Sequence, residues 1–275
     1  MELIKDDISP IIKDAKYLFL KEVLSKRIKS TDNIKVGKYL MKIDNVNKIS
    51  KDNISGFIGR AKSRKSFAVT MFAAALCGGL NLYNKFKANA AYKVLYADTE
   101  QSADDVQLVT KRVNKLIGSE DNLFMYALKP FNPKERIEAI EFLLDKHKPD
   151  VLVIDGIKDL LYDINNAVEC TTVMSIIQKW NVKYDIHISC VLHQNKGDGN
   201  ARGHIGTELD NKSQVLFRIT QSEIDKSISE FKEVFGRGKG TEPFNFFVNN
   251  DYADFGIPEV IDSLSIDVNV DDAPF

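Results

Sequence analysis

Between Ile58 and Phe67 the chain reads Gly59-Arg60-Ala61-Lys62-Ser63-Arg64-Lys65-Ser66. A short apolar run, Ile54–Ile58, precedes it, and an apolar helical run, Ser66–Cys77, follows it before Gly78-Gly79. In a strand–loop–helix unit of this kind the loop N–H groups and the positive end of the helix dipole converge on phosphate oxygens. Residues 59–66 are then the phosphate-binding loop of a nucleotide site. Lys65 is expected on the β- and γ-phosphates of ATP, and the Ser66 hydroxyl on Mg²⁺. One position departs from the pattern, since Arg64 stands where a second glycine is usual. If that position needs a positive φ, a side chain there costs on the order of 1–2 kcal/mol. Arg64 in return adds a cation near the phosphates.

Two downstream runs end in carboxylates. Tyr96-Ala97-Asp98-Thr99-Glu100-Gln101 closes an apolar strand, and a carboxylate at that end of a parallel sheet is placed to orient and deprotonate an attacking water. Glu100 is the expected catalytic base. Val151-Leu152-Val153-Ile154-Asp155 is four apolar residues and then an aspartate, the layout in which Asp155 holds Mg²⁺ directly or through water.

The elements that must hold these residues follow from pattern and punctuation. Ser9-Pro10 starts a helix in which Ile12, Ala15, Phe19 and Val23 recur at helical spacing to about Ile28. Residues 29–53 are rich in Lys and Asn and read as a linker, so residues 1–44 are expected to be a helical arm and 45–250 the catalytic core. Strands are expected at 54–58, 92–97, 151–154, 186–192 and 215–219, and a hairpin at 231–235 and 244–248 around the Gly-rich turn 236–240. Ser102 and Asn132-Pro133 start the intervening helices. Alternating strands and helices imply an α/β fold with a mostly parallel central sheet covered by helices. Trp180 shares a helical face with Val173, Ile176 and Ile177 and reads as core.

Composition narrows the class. With 44% apolar and 28% charged residues in 275, the chain reads as one large globular domain with extensions. No apolar run approaches the roughly 20 residues of a membrane span, and Met1–Asp7 lacks a signal-peptide layout, so a cytoplasmic protein is expected. Cys77, Cys170 and Cys190 are widely spaced in apolar surroundings and read as reduced core thiols. His147 and His187 have no metal-ligand partners at useful spacing. The net charge of −1 hides an asymmetry: eight acidic residues and no Lys or Arg follow Lys239. The first 239 residues therefore hold 38 basic against 31 acidic residues, compatible with a polyanionic partner.

The order of these motifs, followed by Val191-Leu192-His193-Gln194-Asn195-Lys196 and Arg202-Gly203-His204-Ile205-Gly206-Thr207, resembles the RecA/DnaB superfamily of P-loop ATPases. Within it the nearest likeness is to the RepA-like AAA ATPases of plasmids, phages and mobile elements, over about residues 45–250. The resemblance implies a RecA-like core in which Gln194 senses the γ-phosphate. It also implies that Lys196 and Arg202 flank a loop that touches single-stranded DNA. Phe235-Gly236-Arg237-Gly238-Lys239-Gly240 resembles the C-terminal hairpin of replicative helicases, which implies that Arg237 reaches the ATP site of the next subunit in a ring or filament. Where those proteins often have a lysine two residues before the arginine, this chain has Phe235.

Residues 251–275 read as an acidic, disordered tail. Its end, Asp271-Asp272-Ala273-Pro274-Phe275, resembles the C-terminal tip of bacterial single-stranded-DNA-binding proteins, which docks replication and repair proteins. Phe275 is expected to fill an apolar pocket while Asp271 and Asp272 meet a basic rim. The expected function is a DNA-dependent ATPase acting on single-stranded DNA, as a RepA-like helicase or a RecA-like recombinase. The alternative is a nucleotide-dependent switch or loader that turns ATP over little.

Overall fold

The computed structural model describes residues 10–33, 37–194, 201–249 and 256–261. It falls into two units, Met1–Val36 and Gly37–Phe275. The first holds one helix, α1 (Pro10–Ser25), which ends a few residues short of the expected Ile28. The second begins ahead of the expected boundary at residue 45. The stretch read as a linker contains two strands, β1 (Tyr39–Ile43) and β2 (Val46–Ser50). They pair as a tight hairpin whose turn residues Asp44 and Asn45 both have positive φ, a state Asn and Asp tolerate better than most residues. Leu40, Met41, Ile43 and Ile49 are all buried, but a bulge at Tyr39–Lys42 breaks the alternation that would have marked the strands among Lys and Asn.

The remaining elements alternate. β3 (Asn53–Gly59) leads through the phosphate-binding loop into α2 (Lys65–Gly78), capped by Gly79 in the left-handed conformation. Short strands β4 (Asn81–Leu82) and β5 (Phe86–Ala88) follow. Next come β6 (Val94–Asp98), α3 (Ala103–Ile117), β7 (Leu123–Ala127) and α4 (Pro133–His147). Asn132 and Glu135 close α4 with a reciprocal capping box. β8 (Val151–Asp155), a 3₁₀ turn at Ile157–Leu160, α5 (Ala167–Tyr184) and β9 (His187–His193) complete the parallel part with α6 (Gly203–Lys212) and β10 (Val215–Gln221). β11 (Ile228–Gly236), β12 (Phe244–Asn249) and β13 (Ile257–Ile261) close the sheet.

The large sheet runs β13-β12-β11-β10-β3-β9-β8-β6-β7. It is parallel from β10 to β7 and antiparallel from β10 to β13. β13 corrects one expectation, because part of the stretch read as disordered tail pairs with β12 as an edge strand. Its Ile257 and Pro258 are buried, and pairing with β12 outweighs the surrounding acidic residues.

Side chains alternate across the sheet and divide it into two cores. Phe57, Val94, Tyr96, Val151, Val153, Val191 and Phe217 pack against α2. Ile54, Ile58, Leu95, Leu152, Ile154, Leu192 and Leu216 pack on the opposite face with Trp180 and other residues of α4, α5 and α6. On the α2 side the rings of Phe57, Phe72, Phe86, Phe217, Phe231 and Phe244 meet at centroid distances of 4.8–6.2 Å. They join the large sheet to a small one, β2-β1-β5-β4. A buried Lys48–Glu233 pair at 2.6 Å adds a specific tie between the two sheets. All three cysteines are free and buried.

Candidate functional site

The alternation that sorts the cores also aims the polar residues at the strand ends. Asp98 continues the Val94–Tyr96 face, Asp155 the Val151–Val153 face and His193 the Val191 face, so all three emerge on the α2 side of the sheet. There they meet the N-terminus of α2. Gly59 leaves β3 under the Ile219 carbonyl, where a Cβ would sit 2.4 Å from that oxygen, so a side chain is excluded. Arg64 adopts φ 70° and ψ 29°, the left-handed state that glycine fills in the usual motif, and its guanidinium donates to the Ser227 carbonyl. No side chain caps α2, leaving its first turn open to an anion.

Lys62, Arg64, Lys65 and Ser66 line one wall of a cavity of about 410 Å³. Glu100, Asp155, Lys158 and His193 line the other. The Lys65 ammonium folds back on its own loop, donating to the carbonyls of Gly59 at 3.1 Å and Arg60 at 2.9 Å, and lies 3.1 Å from His193 Nδ1. Lys65 has only protons to give, so Nδ1 accepts and the ring N–H is left at Nε2, which faces Glu100 Oε2 at 3.5 Å. Lys158 Nζ stands 3.2 Å from the other oxygen of Glu100.

Burial pushes the Lys65 ammonium down to about 8 against the opposing pull of Asp155 and Glu100. Burial, with Asp98 nearby, pushes Asp155 up to about 7, although Tyr96 donates to its Oδ2 at 2.8 Å. Glu100 goes the other way, to about 2, through its contacts with His193 and Lys158.

The turn that presents Glu100 is built by residues to which the sequence reading assigned no role. Asp98 accepts from the backbone N–H groups of Glu100 and Gln101 and from the Gln101 amide. Thr99 Oγ1 accepts from the Gly156 N–H at 2.9 Å and shares its one proton between the Gly156 carbonyl at 2.8 Å and Asp159 Oδ2 at 3.1 Å. These bonds stitch the ends of β6 and β8 together. Asp98 and Thr99 were visible only as polar residues after a strand, where Glu100 drew the attention.

Other expected residues lie elsewhere. Gln194, one residue beyond His193, points to the opposite face by the same alternation. With Arg60, Ala61, Ser63 and Arg218 it lines a second cavity of about 370 Å³ on the far side of the phosphate-binding loop. In the described chain His193, not Gln194, faces the first cavity. Arg202 starts α6, and its N–H donates to the His193 carbonyl at 3.0 Å. Arg237 follows β11 and donates through its backbone to Gln214 at the start of β10. That is the opposite end of the sheet from the loop of the same chain, a strand length or roughly 20 Å away. Lys196, Asp271, Asp272, Pro274 and Phe275 lie outside the described residues.

Ser66 and Asp155 supply a hydroxyl and a carboxylate to one cavity, hard oxygen donors of the kind Mg²⁺ prefers. Among the described residues no cluster of three or more His, Cys, Asp or Glu forms a closed metal site. A cation bound here would be held by few of the described protein groups and would need phosphate and water oxygens to complete its shell.

The parallel sheet, the open helix N-terminus and the carboxylates at neighbouring strand ends define a RecA-like P-loop core. Residues 38–199, more than half the chain, match the family described as AAA domain, and the chain belongs to that family. The domain is thus of the ATPase type, and the cavity is its candidate nucleotide site. An alignment of 99 positions that covers 33% of the chain is 34% identical to the DNA repair protein RadA of Listeria monocytogenes serovar 1/2a (strain ATCC BAA-679 / EGD-e). The match spans 20% of that relative's length. No described helix is long and apolar enough to cross a membrane.

Proposed function

We propose that the chain is a DNA-dependent ATPase that acts on single-stranded DNA in replication or recombination. The observation that supports this most is the convergence of Lys65, Ser66, Glu100 and Asp155 on one cavity at the open N-terminus of α2. The α2 N–H groups and Lys65 bind the phosphates, with Lys65 leaving the carbonyls of Gly59 and Arg60 for a stronger anionic partner. Lys62 and Arg64 add positive charge at the rim. Ser66 and Asp155 hold Mg²⁺, which neutralises charge on the phosphates when bound. Glu100 orients the attacking water and takes its proton.

Single-stranded DNA as the activator rests on the RadA likeness and on the basic balance of the first 239 residues. Lys196 and Arg202 are proposed to contact DNA. Gln194 is proposed to follow the γ-phosphate together with its neighbour His193. Arg237 stands far from the site of its own chain, which favours action in a neighbour's site within a ring or filament. The tip at Asp271, Asp272, Pro274 and Phe275 is proposed to dock a replication or repair protein.

Steady-state ATP hydrolysis with and without single-stranded DNA, for wild type and Glu100→Gln, tests this reading. Turnover stimulated by DNA and lost in the variant is expected. Strand-displacement and strand-pairing assays then separate a helicase from a recombinase. A second reading is a switch or loader that binds ATP with little turnover. It is favoured by Glu100, whose two oxygens both face positive or N–H groups. Tight ATP binding with no turnover, with or without DNA, would establish it instead.

A further inference from the structure

The cavity holds a cation that the mechanism above does not use. Lys158 lies on the 3₁₀ turn just beyond Asp155, with its ammonium 3.2 Å from Glu100 Oε1. The other oxygen of Glu100 faces His193 Nε2 at 3.5 Å, and His193 Nδ1 lies 3.1 Å from Lys65. Lys65, His193, Glu100 and Lys158 therefore form one continuous chain along the cavity wall.

The two ends of that chain differ. Lys65 rests on main-chain carbonyls of its own loop, a weak partnership that a triphosphate replaces. Lys158 rests on Glu100 itself. An ammonium bonded to a carboxylate oxygen favours the ionised form and occupies a direction from which water would donate its proton. The backbone beneath both residues is fixed. Ile157 and Leu160 are buried, Arg136 donates to the Asp159 carbonyl at 2.7 Å, and Thr99 ties the neighbouring turn to Gly156 and Asp159. Only side-chain rotation separates Lys158 from Glu100, and the Lys158 side chain is 28% exposed.

We propose that Lys158 is a positioning residue that restrains Glu100 and keeps hydrolysis slow in the absence of DNA. The proposal rests on the reading of Glu100 as the water-activating carboxylate. A partly exposed ion pair biases a side chain by roughly fivefold at most, so the effect is moderate.

The test is steady-state ATP hydrolysis by the full chain with Mg²⁺ and without DNA. The variants are Lys158→Ala, Lys158→Gln and Lys158→Arg, each also combined with Glu100→Gln. Lys158→Ala and Lys158→Gln are expected to raise kcat about two- to fivefold with the KM for ATP changed less than the rate. Lys158→Arg keeps the charge and is expected near wild type. In the Glu100→Gln background none should raise the rate. Unchanged or slower turnover in both neutral variants overturns the proposal. So does an equal rise in the Glu100→Gln background, which would mean that Lys158 acts through another group. Glu100→Gln alone turning over at the wild-type rate is a separate result: it removes the assignment of Glu100 and the proposal with it.

Discussion

Asp155 on the floor of the candidate nucleotide cavity and Glu100 on its rim are both carboxylates, one the last residue of β8 and the other two residues beyond the end of β6. Burial beside Asp98 pushes Asp155 up to about 7, whereas His193 and Lys158 pull Glu100 down to about 2. The floor holds a carboxylate short of positive charge and the rim one well supplied with it. Such a split assigns roles: a desolvated carboxylate gains most from a cation, while an ionised, half-exposed one can reach water. Breaking the rim should have the largest effect. Glu100→Gln is expected to lower DNA-stimulated turnover by about 10²–10⁴-fold with ATP affinity retained. Turnover within about threefold of wild type would move the base to another residue.

Breaking the floor should act on stability as well as chemistry. The folded pKa of Asp155 lies above its ordinary 3.8, so its neutral form favours the fold at acid pH. That contribution is lost as pH rises from about 4 to about 7 and is worth at most about 4 kcal/mol. Asp155→Asn removes the charge while leaving an acceptor for Tyr96. Without nucleotide and Mg²⁺ it is expected to melt higher than wild type at pH 8 and alike at pH 4. It should also lose the extra stabilisation that Mg²⁺ adds to ATP. Identical melting at both pH values would mean that solvent already reaches Asp155.

Both carboxylates were legible in the sequence, whereas the groups that surround them were not. The loop, α2, Asp155 and Glu100 stood out because each combines a local pattern with a fixed place in a strand–helix alternation. The hairpin β1–β2 and the edge strand β13 were hidden because their apolar residues follow no strict alternation and sit among Lys, Asn and acidic residues, so long-range pairing decides their state. Asp98 holds the turn that carries Glu100 and Gln101, and Thr99 bonds to the end of the neighbouring strand, a pairing that no local pattern announces. His193 was separable from Gln194 by alternation from Val191, but only once the face covered by α2 was known. Lys158 had no signal at all, since it meets Glu100 across two strands.

His187 sharpens the comparison by showing burial without a proposed role in nucleotide chemistry. It sits at the start of β9, the strand that ends in His193. Its Nε2 lies 2.9 Å from Ser55 Oγ and its Nδ1 2.9 Å from the Ser50 carbonyl. Burial lowers its pKa from 6.5 to about 4. The neutral ring thus stabilises the fold fully above pH 6.5, and the contribution is lost as pH falls toward 4, by about 3 kcal/mol. This is opposite in sign to Asp155. The difference in urea unfolding free energy between wild type and His187→Gln should therefore shrink as pH falls from 7 to 4.5. A constant difference would assign the pH response to other groups.

The smallest effect is expected at Arg64, where strain and charge meet at the rim. Glycine in its place relieves about 1–2 kcal/mol of left-handed strain. The more flexible unfolded chain offsets about 0.5–1 kcal/mol of that. Loss of the guanidinium bond to the Ser227 carbonyl offsets a further 0.5–1.5 kcal/mol or so. The terms nearly cancel, so Arg64→Gly should melt within about 3 °C of wild type. Because Arg64 also lines the cavity, ATP should bind a few fold more weakly, and the difference should narrow as salt is raised. A rise in Tm of more than about 5 °C would show that strain outweighs the bond to Ser227. Unchanged affinity at low salt would place the guanidinium's field on Ser227 and Asp225 and leave the rim's attraction for phosphate to Lys62 and Lys65.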